Sequence, residues 1–149
     1  MSTEKRYRIT RYNVEGEQLE TVLGPLEADV IEAVWASKKP VTVREVYETL
    51  KKKTKIAYTT VMSTMNRLYE KGLLDRRIER GKGGLYYVYW PKLGKENFKK
   101  SAVRQVVDSL LKNFGEIATS CFIEEIASNE EELKALREQL EKILKEKGR

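Results

Sequence analysis

Apolar residues recur at helical spacing in one stretch of this chain and at every second position in the next, and the switch falls at Gly72. Between Tyr58 and Lys71, at roughly 100° per residue, Val61, Met65 and Leu68 share one side, with Met62 and Tyr69 flanking it. Thr59, Thr60, Ser63 and Arg67 fall on the opposite side, with Asn66 at its edge. The pattern predicts an amphipathic helix that Gly72 stops. Alternation takes over in Leu73–Glu79 and Leu85–Trp90, which predicts two paired strands joined by the loop Arg80-Gly81-Lys82-Gly83-Gly84. Glycines at 81, 83 and 84 suit a tight or bulged connection, because they tolerate positive φ.

Two more helices are legible upstream. Pro25 and Glu27 suit a first helical turn, and Leu26, Val30, Ala33 and Val34 repeat at helical spacing, with Trp35 closing the run before Lys38-Lys39-Pro40 breaks it. Val41 is placed to add a short strand to the hairpin. Thr42-Val43-Arg44-Glu45 is a capping box for a helix reaching about Lys53, with Val43, Val46, Tyr47 and Leu50 inward. Helix, strand, helix, turn, helix and hairpin is the order of a winged helix-turn-helix, a mainly α fold with a small β-wing.

From Gly94 the pattern is helical again. Phe98, Val106, Leu110 and Phe114 form a stripe with Ala102, and Val103, Val107 and Leu111 widen it. Ser128 or Asn129 can cap a last helix in which Leu133, Leu136, Leu140 and Ile143 repeat at three- and four-residue steps. A small winged domain cannot cover so much apolar surface, so these helices read as a C-terminal α-helical dimerisation domain shared with a second copy. The alternative is that they fold back on their own chain. The expected organisation is an N-terminal extension over 1–22, a DNA-binding domain over 23–92 and the helical domain over 93–149. In the extension, Tyr7–Val14 has strand-like content and Glu15-Gly16-Glu17 suits a turn, which allows an extra hairpin. Arg6, Arg8 and Arg11 lie there, balanced by acidic residues, so a structural role is expected first.

Composition narrows the function. The chain has 149 residues and a net charge of +6, with 29 Lys and Arg against 23 Asp and Glu. Residues 51–91 hold ten Lys and Arg against three Asp and Glu, so the excess is concentrated on the predicted helix and wing. A localised basic patch is the footprint of nucleic-acid binding. With no histidine, there is no His-based general base and no usual zinc site. The single cysteine, Cys121, forms no internal disulfide, reads as a small buried apolar residue and fits a cytoplasmic protein. No apolar run is long enough to span a bilayer, and no glycine loop has nucleotide-binding spacing. Neither a cofactor nor catalysis is expected.

The candidate chemistry lies on the polar face of the helix. Small Thr and Ser side chains let a helix backbone approach base edges, and they bond to bases or phosphates. A purely solvated face would favour Glu, Lys and Gln, because β-branched Thr lowers helix propensity. Arg80 and Lys82 on the wing tip, with Arg76 and Arg77 leading into it, suit phosphate contact. The run Lys51-Lys52-Lys53-Thr54-Lys55 reads either as a solvated turn or as a further phosphate contact. The wing tyrosines are better explained by packing than as a platform for single strands.

The segment Leu26-Glu27-Ala28-Asp29-Val30-Ile31 with Val34-Trp35, then Pro40–Val46, then Ala57-Tyr58-Thr59-Thr60-Val61 with Asn66-Arg67-Leu68 and Glu70-Lys71-Gly72-Leu73-Leu74, resembles the penicillinase-repressor family of winged-helix regulators, the BlaI/MecI/CopY group. The likeness continues into Tyr87-Val88-Tyr89-Trp90-Pro91 and more weakly into the helical tail. It implies a homodimeric transcriptional repressor on double-stranded operator DNA, with Tyr58, Thr59, Thr60, Met62, Ser63 and Arg67 facing bases and phosphates. From the residues themselves, Lys55, Arg80 and Lys82, with Arg67, are expected to hold phosphates. Copper-sensing members carry a cysteine cluster, which the lone Cys121 does not match. Members released by proteolysis are cut at an Asn-Phe junction, where this chain has Ser120-Cys121-Phe122. The inducing ligand or sensor is therefore left open. A rival reading is a winged-helix module that docks on another protein, which the lack of aromatic anchors on the Thr/Ser face disfavours.

Overall fold

The computed structural model describes residues 7–148. Arg6, one of the extension's cations, lies outside them. After a 3-10 turn at Gln18–Thr21, the elements in chain order are α1 (Pro25–Ala36), β1 (Val41–Thr42), α2 (Val43–Lys51), α3 (Tyr58–Glu70), β2 (Leu74–Gly81), β3 (Gly84–Pro91), α4 (Lys95–Phe114), α5 (Glu116–Ala127) and α6 (Glu130–Lys147). The chain divides into two compact units, with the boundary inside α4 after Gln105.

Local chemistry sets the ends of the helices. The Gly24 N–H donates to Glu27 Oε1 at 3.2 Å and opens α1. Thr42 and Glu45 form the expected capping box on α2, with the Glu45 N–H donating to Thr42 Oγ1 at 3.1 Å. Gly72, at φ 89°, ends α3, and the Leu73 N–H reaches back to the Leu68 carbonyl at 2.9 Å. This closure turns the chain directly into β2.

The first unit is a winged helix-turn-helix. α1, α2 and α3 pack pairwise, and an antiparallel sheet of order β1-β3-β2 flanks them. Val41 pairs with Tyr89 and Thr42 with Val88, which is the expected short strand against the wing. Val30, Ile31 and Val34 of α1, Val46 of α2, Val61, Met65 and Leu68 of α3, and Leu74 of β2 are all buried. Each such side chain contributes about 1.5–3 kcal/mol by leaving water. Glu27 is buried too, and the Lys71 Nζ, 2.8 Å from its Oε2, ties the end of α3 to the start of α1.

Four expectations change. The hairpin loop is tighter than five residues: Arg80 pairs with Leu85 and Gly81 with Gly84, leaving Lys82 and Gly83 as a two-residue turn. Of the loop glycines only Gly84, at φ 107°, uses the left-handed region. Residues 7–22 contain no strand. Instead Tyr7 is buried, its hydroxyl donating to the Val22 carbonyl at 3.3 Å, and the Gln105 amide bonds the Ile9 N–H (2.8 Å) and the Tyr7 carbonyl (3.0 Å). A glutamine side chain thus takes the place of a partner strand.

Third, Phe98 is not free for a second copy. It is 1% exposed, with its ring 5.5 Å from that of Tyr7 and 5.6 Å from that of Trp35. The first turns of α4 therefore complete the winged unit, which runs past residue 92. Fourth, Cys121 is exposed on α5, and it is Ala118 that is buried there.

In the second unit α5 packs on α6, and the Asn129 side chain caps α6 by accepting from the Glu131 and Glu132 N–H groups. No helix of the described residues is long and apolar enough to cross a membrane.

Candidate nucleic-acid interface

The polar face of α3 is open to solvent. Thr59, Thr60, Ser63 and Arg67 are exposed, while Val61, Thr64, Met65 and Leu68 face the core. Met62, 46% exposed, lies on the open side. The face is built of short side chains and one long cation. The Ser63 hydroxyl donates to the Thr60 carbonyl at 3.1 Å, which leaves its lone pairs free to accept. Thr64 donates to the same carbonyl at 2.8 Å but is 2% exposed, so it is a satisfied core residue.

The start of α3 differs from that of α2 and α6. Its N-cap is Ala57, which offers no side-chain acceptor, whereas Thr42 and Asn129 cap the other two. The Thr60 N–H is taken by the Ala57 carbonyl at 3.1 Å, which leaves the amides of Tyr58 and Thr59 for an outside acceptor, and the helix dipole favours an anion there. Tyr58 opens this turn half-buried. Its ring meets Tyr47 of α2 edge-on at 5.6 Å, and the Arg44 guanidinium carbon lies 4.7 Å from its centroid. Tyr58 thus braces α2 against α3, and Arg44 adds a cation beside the helix start. Arg44 escaped the sequence reading because its position marked it only as part of a capping box.

Nine of the ten cations of residues 51–91 fall into two groups. Lys51 pairs with Glu48, Lys71 with Glu27 and Arg77 with Glu79. Lys52, Lys53, Lys55, Arg67, Arg80 and Lys82 are exposed and make no ion pair among the described residues. These unpaired charges lie in the turn before α3, on its open face and at the wing tip. Cations in such positions can meet phosphates without displacing an internal carboxylate. Arg76 belongs to neither group: it is half-buried between α3 and the wing.

The predicted apolar positions of the helical domain separate in the same way. Val103, Phe114, Leu133, Leu140 and Ile143 are exposed, and Val106, Val107, Leu110 and Leu136 are partly covered. Leu133, Leu136, Leu140 and Leu144 line one groove along α6.

A helix with an open hydroxyl face, followed by a cationic hairpin and supported by two further helices, defines a winged helix-turn-helix protein. The profile of the penicillinase repressor family matches residues 23–142, and the chain belongs to that family. The chain is 44% identical over 54 residues to proteins called transcriptional regulator BlaI from two strains of Mycobacterium tuberculosis, CDC 1551 / Oshkosh and ATCC 25618 / H37Rv. That stretch covers 36% of this chain and 39% of each relative.

Proposed function

We propose that this chain is a cytoplasmic transcriptional repressor that binds double-stranded DNA as a homodimer and occupies an inverted-repeat operator. The observation that carries the reading is the hydroxyl face of α3 set among unpaired cations on the preceding turn and the wing. Thr59, Thr60 and Ser63 read or approach base edges in the major groove. Arg67, Lys55, Arg80 and Lys82 hold phosphates. Tyr58 and Met62 border the contact, Tyr58 by bracing the helix start and Met62 by apolar contact. Family membership and the regulator name of the mycobacterial relatives support the assignment.

The homodimer is supported by the uncovered apolar residues of the second unit. A shared helical interface through Val103, Val106, Val107, Leu110, Phe114, Leu133, Leu136, Leu140 and Ile143 would cover them. Two protomers would then present two α3 helices to half-sites about one helical turn, or a multiple, apart.

The wing supplies the test. Arg80→Ala with Lys82→Ala should weaken binding on all DNA sequences and lower the slope of log affinity against log salt by about 2. An unchanged slope would remove the wing from the interface. Ser63→Ala should instead change sequence preference, and uniform weakening would count against base reading.

A further inference from the structure

We propose that Arg76 is a positioning residue that locks the wing to α3, so that the wing cations and the open helix face meet one duplex as a single body. The first half stands on geometry alone, and the second rests on the DNA-binding reading above.

The Arg76 guanidinium lies between two rings from different elements. Its carbon is 3.9 Å from the ring centroid of Tyr69 on α3 and 4.0 Å from that of Tyr87 on β3. Its Nη1 donates to Asn66 Oδ1 on α3 at 2.7 Å and to the Tyr89 hydroxyl on β3 at 3.4 Å. Asn66 is itself oriented, its Nδ2 donating to Glu70 Oε1 at 3.2 Å. One side chain of β2 therefore touches α3 and β3 together. A planar guanidinium can stack on two rings while its edge donates hydrogen bonds, and an ammonium cannot. The Arg76 guanidinium is engaged by protein groups, whereas Arg80 and Lys82 are exposed.

The site of this contact gives it a purpose. β1 pairs with β3 only at Val88 and Tyr89, so from the Ile78–Tyr87 pair outward the sheet has two strands. An isolated two-stranded ribbon is marginally stable in water. Arg76 grips Tyr87 where the third strand ends and fastens that point to α3. Arg80 follows four residues along β2, on the same face as Arg76.

Arg76→Lys separates this role from simple charge, because it keeps the cation and loses the double stack. Affinity for operator DNA should fall about tenfold. In the Arg76→Lys background, Arg80→Ala with Lys82→Ala should cost clearly less than in the wild type, since a loosened wing no longer places those charges. Additive effects, or an Arg76→Lys protein that binds like the wild type, would overturn the proposal. Amide hydrogen exchange without DNA gives an independent readout. Arg76→Lys and Tyr87→Leu should speed exchange in β2 and β3 beyond Ile78 while α3 stays protected, and Tyr87→Phe should not. Unchanged wing protection would overturn the lock. Should the wild-type protein bind no DNA, the operator reading fails, and exchange alone decides whether Arg76 holds the wing.

Discussion

The two units use the same apolar periodicity to different ends. Among the described residues, every buried apolar side chain except Ala118 lies at or before Gln105. Beyond that point Phe114, Ile117, Ile123, Leu140 and Leu144 are exposed. α4 carries both outcomes within one helix: Phe98 and Ala102 are buried, whereas Val103 and Phe114 are about three-fifths exposed. A helical stripe states which residues share a face, but not what covers it. In the first unit the cover comes from the same chain, whereas in the second these side chains stay exposed.

Phe98 gives the sharpest way to break this contrast. Phe98→Ala should destabilise the first unit by about 3–5 kcal/mol, because it opens a cavity between Tyr7 and Trp35. Thermal unfolding should show the loss with self-association unchanged. A stable unfolding midpoint with weakened association would return Phe98 to an interface. The second unit should respond the other way. Leu140→Glu with Ile143→Glu should raise the dimer dissociation constant at least about a hundredfold, or about 2.7 kcal/mol, by sedimentation equilibrium. Unfolding of the first unit should barely move. A protein that is monomeric before the substitutions would end the dimer reading.

A smaller effect concerns pH. Burial, helped by the nearby Glu27 carboxylate, pushes the Tyr7 phenol from 10.0 up to about 12. The folded state therefore keeps a proton that the unfolded chain releases. The contribution is complete below the unfolded value near 10.0 and is lost as the pH rises to about 12. Tyr7→Phe should flatten this alkaline fall in stability, measured as unfolding midpoint against pH. An identical fall in the variant would assign it to another group.

What the sequence made legible is mostly local. Thr42 and Glu45 lie three residues apart, Gly72 comes one residue after its helix, and the open face of α3 follows from helical geometry. What it concealed depends on distant partners. Nothing near Tyr7 in the chain announces that Phe98 will pack against it, and strand-like content there reflects an extended segment bonded to Gln105. Arg76 reads as one more wing cation until Tyr69 and Tyr87 are seen on either side of it. The hairpin loop shortened for a related reason: cross-strand pairing drew Arg80, Gly81 and Gly84 into the strands.

Everything proposed for the first unit depends on sequence-specific binding of duplex DNA by the whole chain. The most direct measurement is fluorescence anisotropy across a salt series on the DNA upstream of its own gene, with scrambled DNA of equal length alongside. The expected result is tight, salt-sensitive binding to the upstream DNA, with a footprint of two-fold symmetry and much weaker binding to the scrambled duplex. Failure to bind either DNA at low salt would contradict it and turn the basic face toward an acidic protein partner.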